Sequence, residues 1–206
     1  MSTIIRRYSD GDRMNHWFIA IMFFLSALSG LAFFHPSLFF LSHLFGGGTW
    51  TRILHPFLGI LMCLGFLIMF FRVVKDNFFT PDDKEWRKHS GRIVRGERIS
   101  NLPVGKYNFG QKIIFWLMTF SLLALVITGV LFWRPWFAPS FSVEVLRVAA
   151  LIHAISAWVL LLSVIVHIYA AIWVQGTMRA MTQGTVTKEW AKTHHPLWYK
   201  ETINKN

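Results

Sequence analysis

The sequence has little acidic charge and only one cysteine. Of its 206 residues, 10 are Asp or Glu against 21 Lys or Arg, and Cys63 has no second cysteine with which to form an intrachain disulfide. Charge is absent altogether from residues 17–34, 53–71, 113–133 and 148–174. Each of these runs is near or above the roughly 18 residues that cross the hydrocarbon core of a bilayer. A soluble globular protein is therefore excluded, and the sequence predicts four transmembrane helices.

The positive charge is concentrated on alternate connections between these runs. Three basic residues precede residue 17, ten lie in residues 72–112, and five follow residue 174. Eighteen of the 21 basic residues therefore share one side of the predicted membrane, which by the positive-inside tendency is the cytoplasm. Both termini are predicted to be cytoplasmic. Because topology and anionic lipid headgroups account for the charge, nucleic acid is not predicted as a partner.

The predicted fold is an all-α integral membrane bundle of four helices, forming a single domain over residues 1–206. The predicted spans are about 12–34, 51–74, 111–134 and 146–175. A cytoplasmic connection covers 75–110, and a cytoplasmic tail covers 176–206. The first apolar run is too long for a signal peptide and lacks a convincing small-residue cleavage site, so it is interpreted as a retained span.

Local signals refine these boundaries. Ser9 followed by Asp12 has the form of a capping box, which predicts that the first helix begins near Asp10. The fourth helix is predicted to begin near Val143. Residues 82–94 are predicted to be helical at the surface, and the aromatic-rich tail is predicted to be ordered.

Two histidines lie inside the fourth apolar run. His153 and His167 are fourteen residues apart, which corresponds to roughly 1400°, about 40° short of four full turns, and a rise of about 21 Å. Both imidazoles are therefore predicted to lie on one helix face near opposite sides of the bilayer. The topology places His16 at the inner end of the first span and His55 at the outer end of the second.

These four histidines match in pairs by depth. Imidazole is a common axial ligand of haem iron, so the sequence predicts one haem b between His55 and His153 and a second between His16 and His167. Such iron has no open coordination position, which favours electron transfer. Taken singly, His16 and His55 are equally well explained as interfacial residues. An imidazole without a partner at the depth of His167 would be costly, and the depth match favours haem.

The other histidines are interpreted as surface residues: His35, His43, His89, His194 and His195. Gly59 and Gly30 lie on histidine-bearing helix faces, where a missing side chain would admit a flat macrocycle. Helix packing through small residues explains these glycines as well. The sequence contains no acid–base or nucleophilic constellation, so no catalytic residue is assigned.

Several separated motifs occur in order along the chain: Asn15-His16-Trp17, residues 52–57 (RILHPF), residues 105–112 (GKYNFGQK), residues 133–135 (WRP), residues 167–169 (HIY), Trp173-Val174 with Gly176, residues 190–192 (WAK), residues 194–196 (HHP) and residues 198–199 (WY). Over almost its whole length the sequence resembles the cytochrome b, or gamma, subunit of bacterial respiratory formate dehydrogenases. The resemblance implies a four-helix membrane protein with two b haems, and it pairs the four histidines as depth does.

The resemblance also implies partners and a route for electrons. An iron–sulfur beta subunit passes electrons to the outer haem, and an alpha subunit oxidises formate at molybdenum or tungsten. The inner haem reduces menaquinone near the cytoplasmic surface of the bacterial inner membrane, with protons drawn from the cytoplasm. Motif matching assigns the border of the quinone site to Asn108, Gly110 and Gln111, with His167 beside it. From the residues alone, Asn108 as the N-cap of the third helix with Gln111 at N3 is an equal explanation.

Other functions remain open at this stage. One is the cytochrome b subunit of a membrane-bound hydrogenase or of another molybdoenzyme. Another is a haem-free transporter or scaffold that uses intramembrane histidines for protons. In the favoured interpretation the chain is the electron-transfer subunit of an oxidoreductase complex, reducing quinone itself while formate is oxidised elsewhere.

Overall fold

A computed structural model of the chain describes residues 4–97, 99 and 102–204, and this part is mostly helical. The helices and strands in chain order are β1 (Ile4–Arg6), α1 (Asp10–Phe34), α2 (Gly48–Val73), α3 (Asp83–Lys88), α4 (Ser90–Val94), α5 (Phe109–Leu131), α6 (Val143–Trp173), α7 (Thr177–Gln183), β2 (Thr185–Thr187), α8 (Lys188–His194) and α9 (Pro196–Asn204). Short 3₁₀ helices occupy Pro36–Phe45, Val74–Asn77 and Ala138–Ser140.

Within the described residues, the four helices α1, α2, α5 and α6 are long and apolar enough to cross a membrane. Each begins two or three residues before the corresponding predicted span, and each ends at most three residues before its predicted end. The prediction of four apolar helices is confirmed. The side on which the termini lie stays a prediction.

The start of α1 follows from its capping box. Asp12 N–H donates to Ser9 Oγ at 3.1 Å, while Ser9 N–H donates to Asp12 Oδ2 at 3.0 Å. These reciprocal bonds satisfy amides that have no partner inside the helix. The predicted start near Asp10 is confirmed, as are the start of α6 at Val143 and the helical character of residues 82–94.

The chain divides into two compact units. One consists of Met14–Met69 and Leu117–Val166, and we call it the span unit because it contains most of the four long helices. The other consists of Met1–Arg13, Phe70–Trp116 and His167–Asn206, and we call it the terminal unit because it contains both chain ends.

Helix contacts within the span unit use a close approach at Gly65 of α2. A Cβ atom there would lie 3.0 Å from side-chain atoms of Phe18 and Ile19 in α1. Nearby, Asn15 Nδ2 donates to the Gly65 carbonyl at 3.0 Å. Farther along α1, Phe34 meets Trp158 of α6 with ring centres 5.4 Å apart. The absence of a side chain at Gly65 thus brings α1 and α2 together.

The terminal unit has a small hydrophobic core of its own. Strands β1 and β2 pair antiparallel, with Ile5 opposite Val186. Both residues are buried together with Ala180, Trp190 and Ala191. The prediction of an ordered tail is confirmed, because β2 and α8 supply most of this core. The surface interpretation of His195 is wrong: the residue is 2% exposed.

Candidate functional site

His55 lies in α2 and is held from α1 by a buried hydroxyl. Its Nδ1 is 2.8 Å from Ser29 Oγ, and Ser29 is fully buried. The Ser29 hydroxyl itself donates to the Leu25 carbonyl at 2.8 Å in its own helix. The next residue, Gly30, leaves room for the ring, since a Cβ there would lie 3.2 Å from His55 Cε1.

His153 in α6 has the same surroundings, supplied by α5. Its Nδ1 is 2.9 Å from Thr128 Oγ1, and Thr128 is 4% exposed. The Thr128 hydroxyl donates to the Ala124 carbonyl at 2.6 Å. A Cβ at Gly129 would lie 3.4 Å from His153 Cε1. A hydroxyl–glycine dipeptide therefore holds each imidazole.

These hydrogen bonds indicate the tautomer of both rings. Each hydroxyl gives its single proton to a helical carbonyl, so its oxygen accepts from the imidazole Nδ1–H. The lone pair of a neutral imidazole is then on Nε2, the atom left for a metal. The structure brings the two rings together, with centres 6.3 Å apart and planes inclined by 66°.

His16 and His167 belong to different units. His16 lies in the span unit, where its ring meets the Trp17 ring edge-on at 5.5 Å between centres. His167 lies in the terminal unit and is exposed. Their pairing at an inner haem stays a prediction.

Asn108 and Gln111 form a reciprocal cap at the start of α5. Gln111 N–H donates to Asn108 Oδ1 and Asn108 N–H donates to Gln111 Oε1, both at 2.9 Å. The capping explanation is therefore confirmed. The cap uses the two amide oxygens, and in the described residues neither side-chain NH₂ has a hydrogen-bond partner. Both NH₂ groups remain as donors, and Asn108, Gln111 and His167 all belong to the terminal unit.

Gly110 lies between these amides and meets a tryptophan. A Cβ at Gly110 would lie 3.2 Å from Trp86 Cη2, and the half-buried Trp86 comes from the surface helix α3. Trp86 also contacts Phe109, with ring centres 5.9 Å apart. Trp86 was not predicted from the sequence, because nothing in the pattern of residues 82–94 indicates which α3 residue meets α5.

Comparison with known proteins identifies the family. The sequence profile of prokaryotic cytochrome b561 matches residues 7–184. The chain belongs to the prokaryotic cytochrome b561 family. Membership of a cytochrome b family implies b-type haem and electron transport.

Individual cytochrome b relatives agree with this assignment. The formate dehydrogenase cytochrome b556(fdo) subunit of Escherichia coli strain K12 is 47% identical over 197 residues, covering 96% of this chain and 92% of the relative. The nitrate-inducible formate dehydrogenase cytochrome b556(Fdn) subunit of the same strain is 42% identical over 200 residues, covering 97% and 92%. The formate dehydrogenase cytochrome b556 subunit of Haemophilus influenzae is 38% identical over 201 residues, covering 98% and 84%. The resemblance inferred from the motifs is confirmed.

The His55 and His153 pair in this cytochrome fits a haem iron. A metal–nitrogen bond of about 2 Å on each side, plus about 1.1 Å from each nitrogen to its ring centre, gives a separation of about 6 Å. The observed separation is 6.3 Å. Among the described residues, no three His, Cys, Asp or Glu side chains group as a metal site. Haem needs only two protein ligands because the porphyrin supplies the other four.

Residues behind the two histidines complete this candidate site. A metal-bound histidine usually donates its other ring N–H to a partner that fixes its orientation. Ser29 and Thr128 would be such partners, and neither was predicted from the sequence. Their signal is the repeated hydroxyl–glycine dipeptide, at residues 29–30 and 128–129, which precedes each histidine by 26 or 25 positions.

Proposed function

We propose that this chain is the dihaem cytochrome b membrane anchor of a respiratory formate dehydrogenase in a bacterial inner membrane. It receives electrons from an iron–sulfur subunit and delivers them to menaquinone, with proton uptake from the cytoplasm. His55 and His153 hold the outer haem, and His16 and His167 hold the inner one. The observation that carries the proposal is the facing pair His55 and His153, each backed by a buried hydroxyl.

Bound haem supplies one-electron transfer at nearly constant geometry. The chain's part is to hold two neutral imidazoles with Nε2 free and to resist their rotation. Ser29 and Thr128 do this from neighbouring helices, and their position behind the ring raises the basicity of the ligating nitrogen. With His55 and His153 both bound, the iron would have no open position, which would disfavour oxygen chemistry.

The proposal that this chain reduces menaquinone rests on the residues at the start of α5. Reduction of a quinone takes up two electrons and two protons, and its carbonyl oxygens need hydrogen-bond donors during this change. The NH₂ groups of Asn108 and Gln111 are such donors once the cap has oriented them. Gly110 lies between the two amides and packs against Trp86, which would border a quinone ring held there.

The partners follow from the relatives. The three relatives described above are named as cytochrome subunits of formate dehydrogenases. A subunit of this kind requires a catalytic alpha subunit with molybdenum or tungsten and an iron–sulfur beta subunit. The four apolar helices account for the attachment of such a complex to the membrane.

Haem stoichiometry in the purified complex tests the proposal. We expect two b haems per chain in the wild type, both reduced by formate. His153→Ala should retain one haem and His167→Ala should retain one, the latter still reduced by formate but without electron transfer to menaquinone. His43→Ala, at an exposed position of the 3₁₀ helix Pro36–Phe45, is the matched control and should retain both haems. One haem per chain in the wild type, or loss of the same haem in both variants, would contradict the pairing.

The identity of the copurifying catalytic subunit tests the donor. A hydrogenase or another molybdoenzyme in its place would leave the haem assignment intact and overturn the formate role. Absence of b-type absorption from the purified protein would instead favour the transporter or scaffold alternative.

A further inference from the structure

The segment immediately before Asn108 is held from both ends of the chain. Residues 102–108 form neither helix nor strand. Four consecutive residues of this segment nevertheless have a contact from outside it. Leu197 N–H donates to the Val104 carbonyl at 3.0 Å, and His195 Nδ1 lies 2.8 Å from the Gly105 carbonyl. Arg7 Nη2 donates to the Lys106 carbonyl at 2.5 Å, and Tyr8 Oη donates to Tyr107 Oη at 3.3 Å. Arg7 and Tyr8, in the segment before α1 that we call the N-terminal arm, supply two of these contacts. His195 and Leu197, in the C-terminal tail after α6, supply the other two.

His195 is a neutral donor in this arrangement. Because the Gly105 carbonyl can only accept, the His195 Nδ1 carries the proton and its Nε2 accepts from Arg7 Nη2 at 3.4 Å. Burial, reinforced by the adjacent guanidinium, lowers the pKa of His195 to about 3. The ring therefore stays neutral, and its bond to Gly105 persists, across the physiological range.

Arg7 connects the arm to the tail without a carboxylate. It is 8% exposed, and within the described part of the chain it has no salt bridge. Its guanidinium instead lies over the rings of Trp198 at 4.6 Å and Trp190 at 5.2 Å. A buried cation is costly unless its surroundings compensate, and the two aromatic faces and the Lys106 carbonyl provide that compensation. The guanidinium thus joins α8, α9 and the segment before α5.

We propose that Arg7 and His195 form an arm–tail clamp that positions the Asn108 and Gln111 amides for quinone binding. The inference rests on the proposed quinone site. An irregular segment without external contacts would let the start of α5 fray, because the first helical amides have no partners inside the helix. The clamp holds residues 104–107 and so fixes the position of the Asn108–Gln111 cap that follows. Arg7 and His195 are positioning residues and do not themselves contact quinone.

Two isosteric replacements of His195 separate positioning from general stability. In His195→Asn the side-chain NH₂ reaches the place of Nδ1 and keeps the bond to the Gly105 carbonyl. In His195→Gln the side-chain oxygen reaches the place of Nε2 and keeps only the contact with Arg7. Both replacements remove the buried ring, so a purely structural role predicts the same functional effect from both.

The test uses the purified complex with its partner subunits, formate as donor and menadione as the quinone. We expect His195→Gln to raise the KM for menadione about tenfold, the effect of losing one buried hydrogen bond, with haem content and formate-driven haem reduction unchanged. His195→Asn should stay within about threefold of the wild type. Arg7→Lys should behave like His195→Gln, because a point charge cannot reproduce the planar stack. His194→Gln, at the exposed neighbouring position, is the control and should leave KM unchanged.

Equal KM values for His195→Asn and His195→Gln would overturn the clamp, as would haem loss in Arg7→Lys. Asn108→Asp and Gln111→Glu test the quinone site separately, since each keeps the capping oxygen and removes an NH₂ donor. If these two variants retain wild-type KM, the quinone site itself fails and the clamp inference with it. If they raise KM while the clamp variants do not, only the clamp inference fails.

Discussion

The span unit and the terminal unit organise their candidate sites in different ways. The His55 and His153 pair stands on regular helices, and each ring is backed by a residue only 26 or 25 positions away in sequence. The amides at the start of α5 follow an irregular segment that is contacted by His195 and Arg7, 90 and 99 positions away in sequence. His195 and Arg7 also contact each other, across 188 positions. Ligands of a redox group need fixed geometry, which helices provide. A quinone must enter and leave, and sites on connecting segments suit this exchange.

The glycines beside the histidines offer the strongest test of the helical site. Gly30→Val or Gly129→Val would put methyl groups where a Cβ alone lies 3.2 or 3.4 Å from an imidazole carbon. The ring must then rotate away from its ligating position. We expect each variant to lose one haem per chain completely, measured by the b-type absorption spectrum. Gly91→Val in α4 is the matched control, because in the described part of the chain a Cβ there would have one neighbour within 4 Å, Arg95 Nη1 at 3.9 Å. Retention of both haems in the Gly30 and Gly129 variants would contradict this account.

The terminal unit contains a buried ion pair whose loss should be nearly as damaging. Lys112 Nζ lies 2.8 Å from Asp83 Oδ2, and the two side chains are 6% and 10% exposed. Lys112→Met leaves the Asp83 carboxylate buried with its Thr80 donors but without its cationic partner, and loss of one member of a buried pair typically costs about 3–5 kcal/mol. Thermal unfolding of the complex should show this loss without a change in the absorption of the outer haem. The double variant with Asp83→Leu should be more stable than the single one. A single variant as stable as the wild type would show that the pair contributes nothing to the terminal unit.

Removing the hydroxyls behind the histidines should have a smaller effect than filling the glycines. Ser29→Ala or Thr128→Val leaves the imidazole Nδ1–H without its acceptor while keeping space for the ring. Loss of such a partner typically weakens metal binding about 10- to 100-fold. We expect faster transfer of the outer haem to excess apomyoglobin in both variants. Ser163→Ala in α6 should behave like the wild type, because among the described residues its hydroxyl bonds to the Val159 carbonyl alone. Equal rates of haem transfer in all three variants would show that the Ser29 and Thr128 hydroxyls do not contribute to haem binding.

The smallest expected effect is the pH dependence of the terminal unit. The folded pKa of His195 is about 3, below the value of about 6.5 for a histidine in an unfolded chain. As the pH is lowered, the unfolded state therefore takes up a proton on His195 before the folded state does. The contribution of the neutral, buried His195 to the free energy of unfolding is complete above about pH 6.5 and falls as the pH drops toward 3. The slope cannot exceed about 1.4 kcal/mol per pH unit. The free energies of unfolding of the wild type and of His195→Asn should therefore diverge between pH 7 and 5. Parallel curves would show that His195 does not cause the pH dependence.

Much of the fold was predictable from short patterns. The lengths of the charge-free runs indicated α1, α2, α5 and α6, because a helix in lipid must be apolar along its whole span. The residues Ser9 and Asp12 indicated the start of α1, because a capping box is closed within four residues. The spacing of His153 and His167 put both on one face of α6. Each inference depends on neighbours along the chain or on one helical period.

The partners of the histidines were not predictable in this way. Ser29 and Thr128 were not recognised, because which residue of one helix meets a ring on another depends on helix rotation and crossing, and a uniformly apolar helix carries little periodic signal for either. His195 was misread as a surface residue for a similar reason. Its burial comes from β2, α8 and the N-terminal arm folding together.

By itself, then, the sequence determined the number of long apolar helices, their ends, the histidines they carry and the family resemblance. These properties depend on local chemistry and on the exclusion of charge from hydrocarbon. Only the tertiary structure decided that a hydroxyl and a glycine hold each of His55 and His153, and that Arg7 and His195 hold the segment before Asn108. Such contacts join residues that are distant in sequence, and the packing of whole elements selects them.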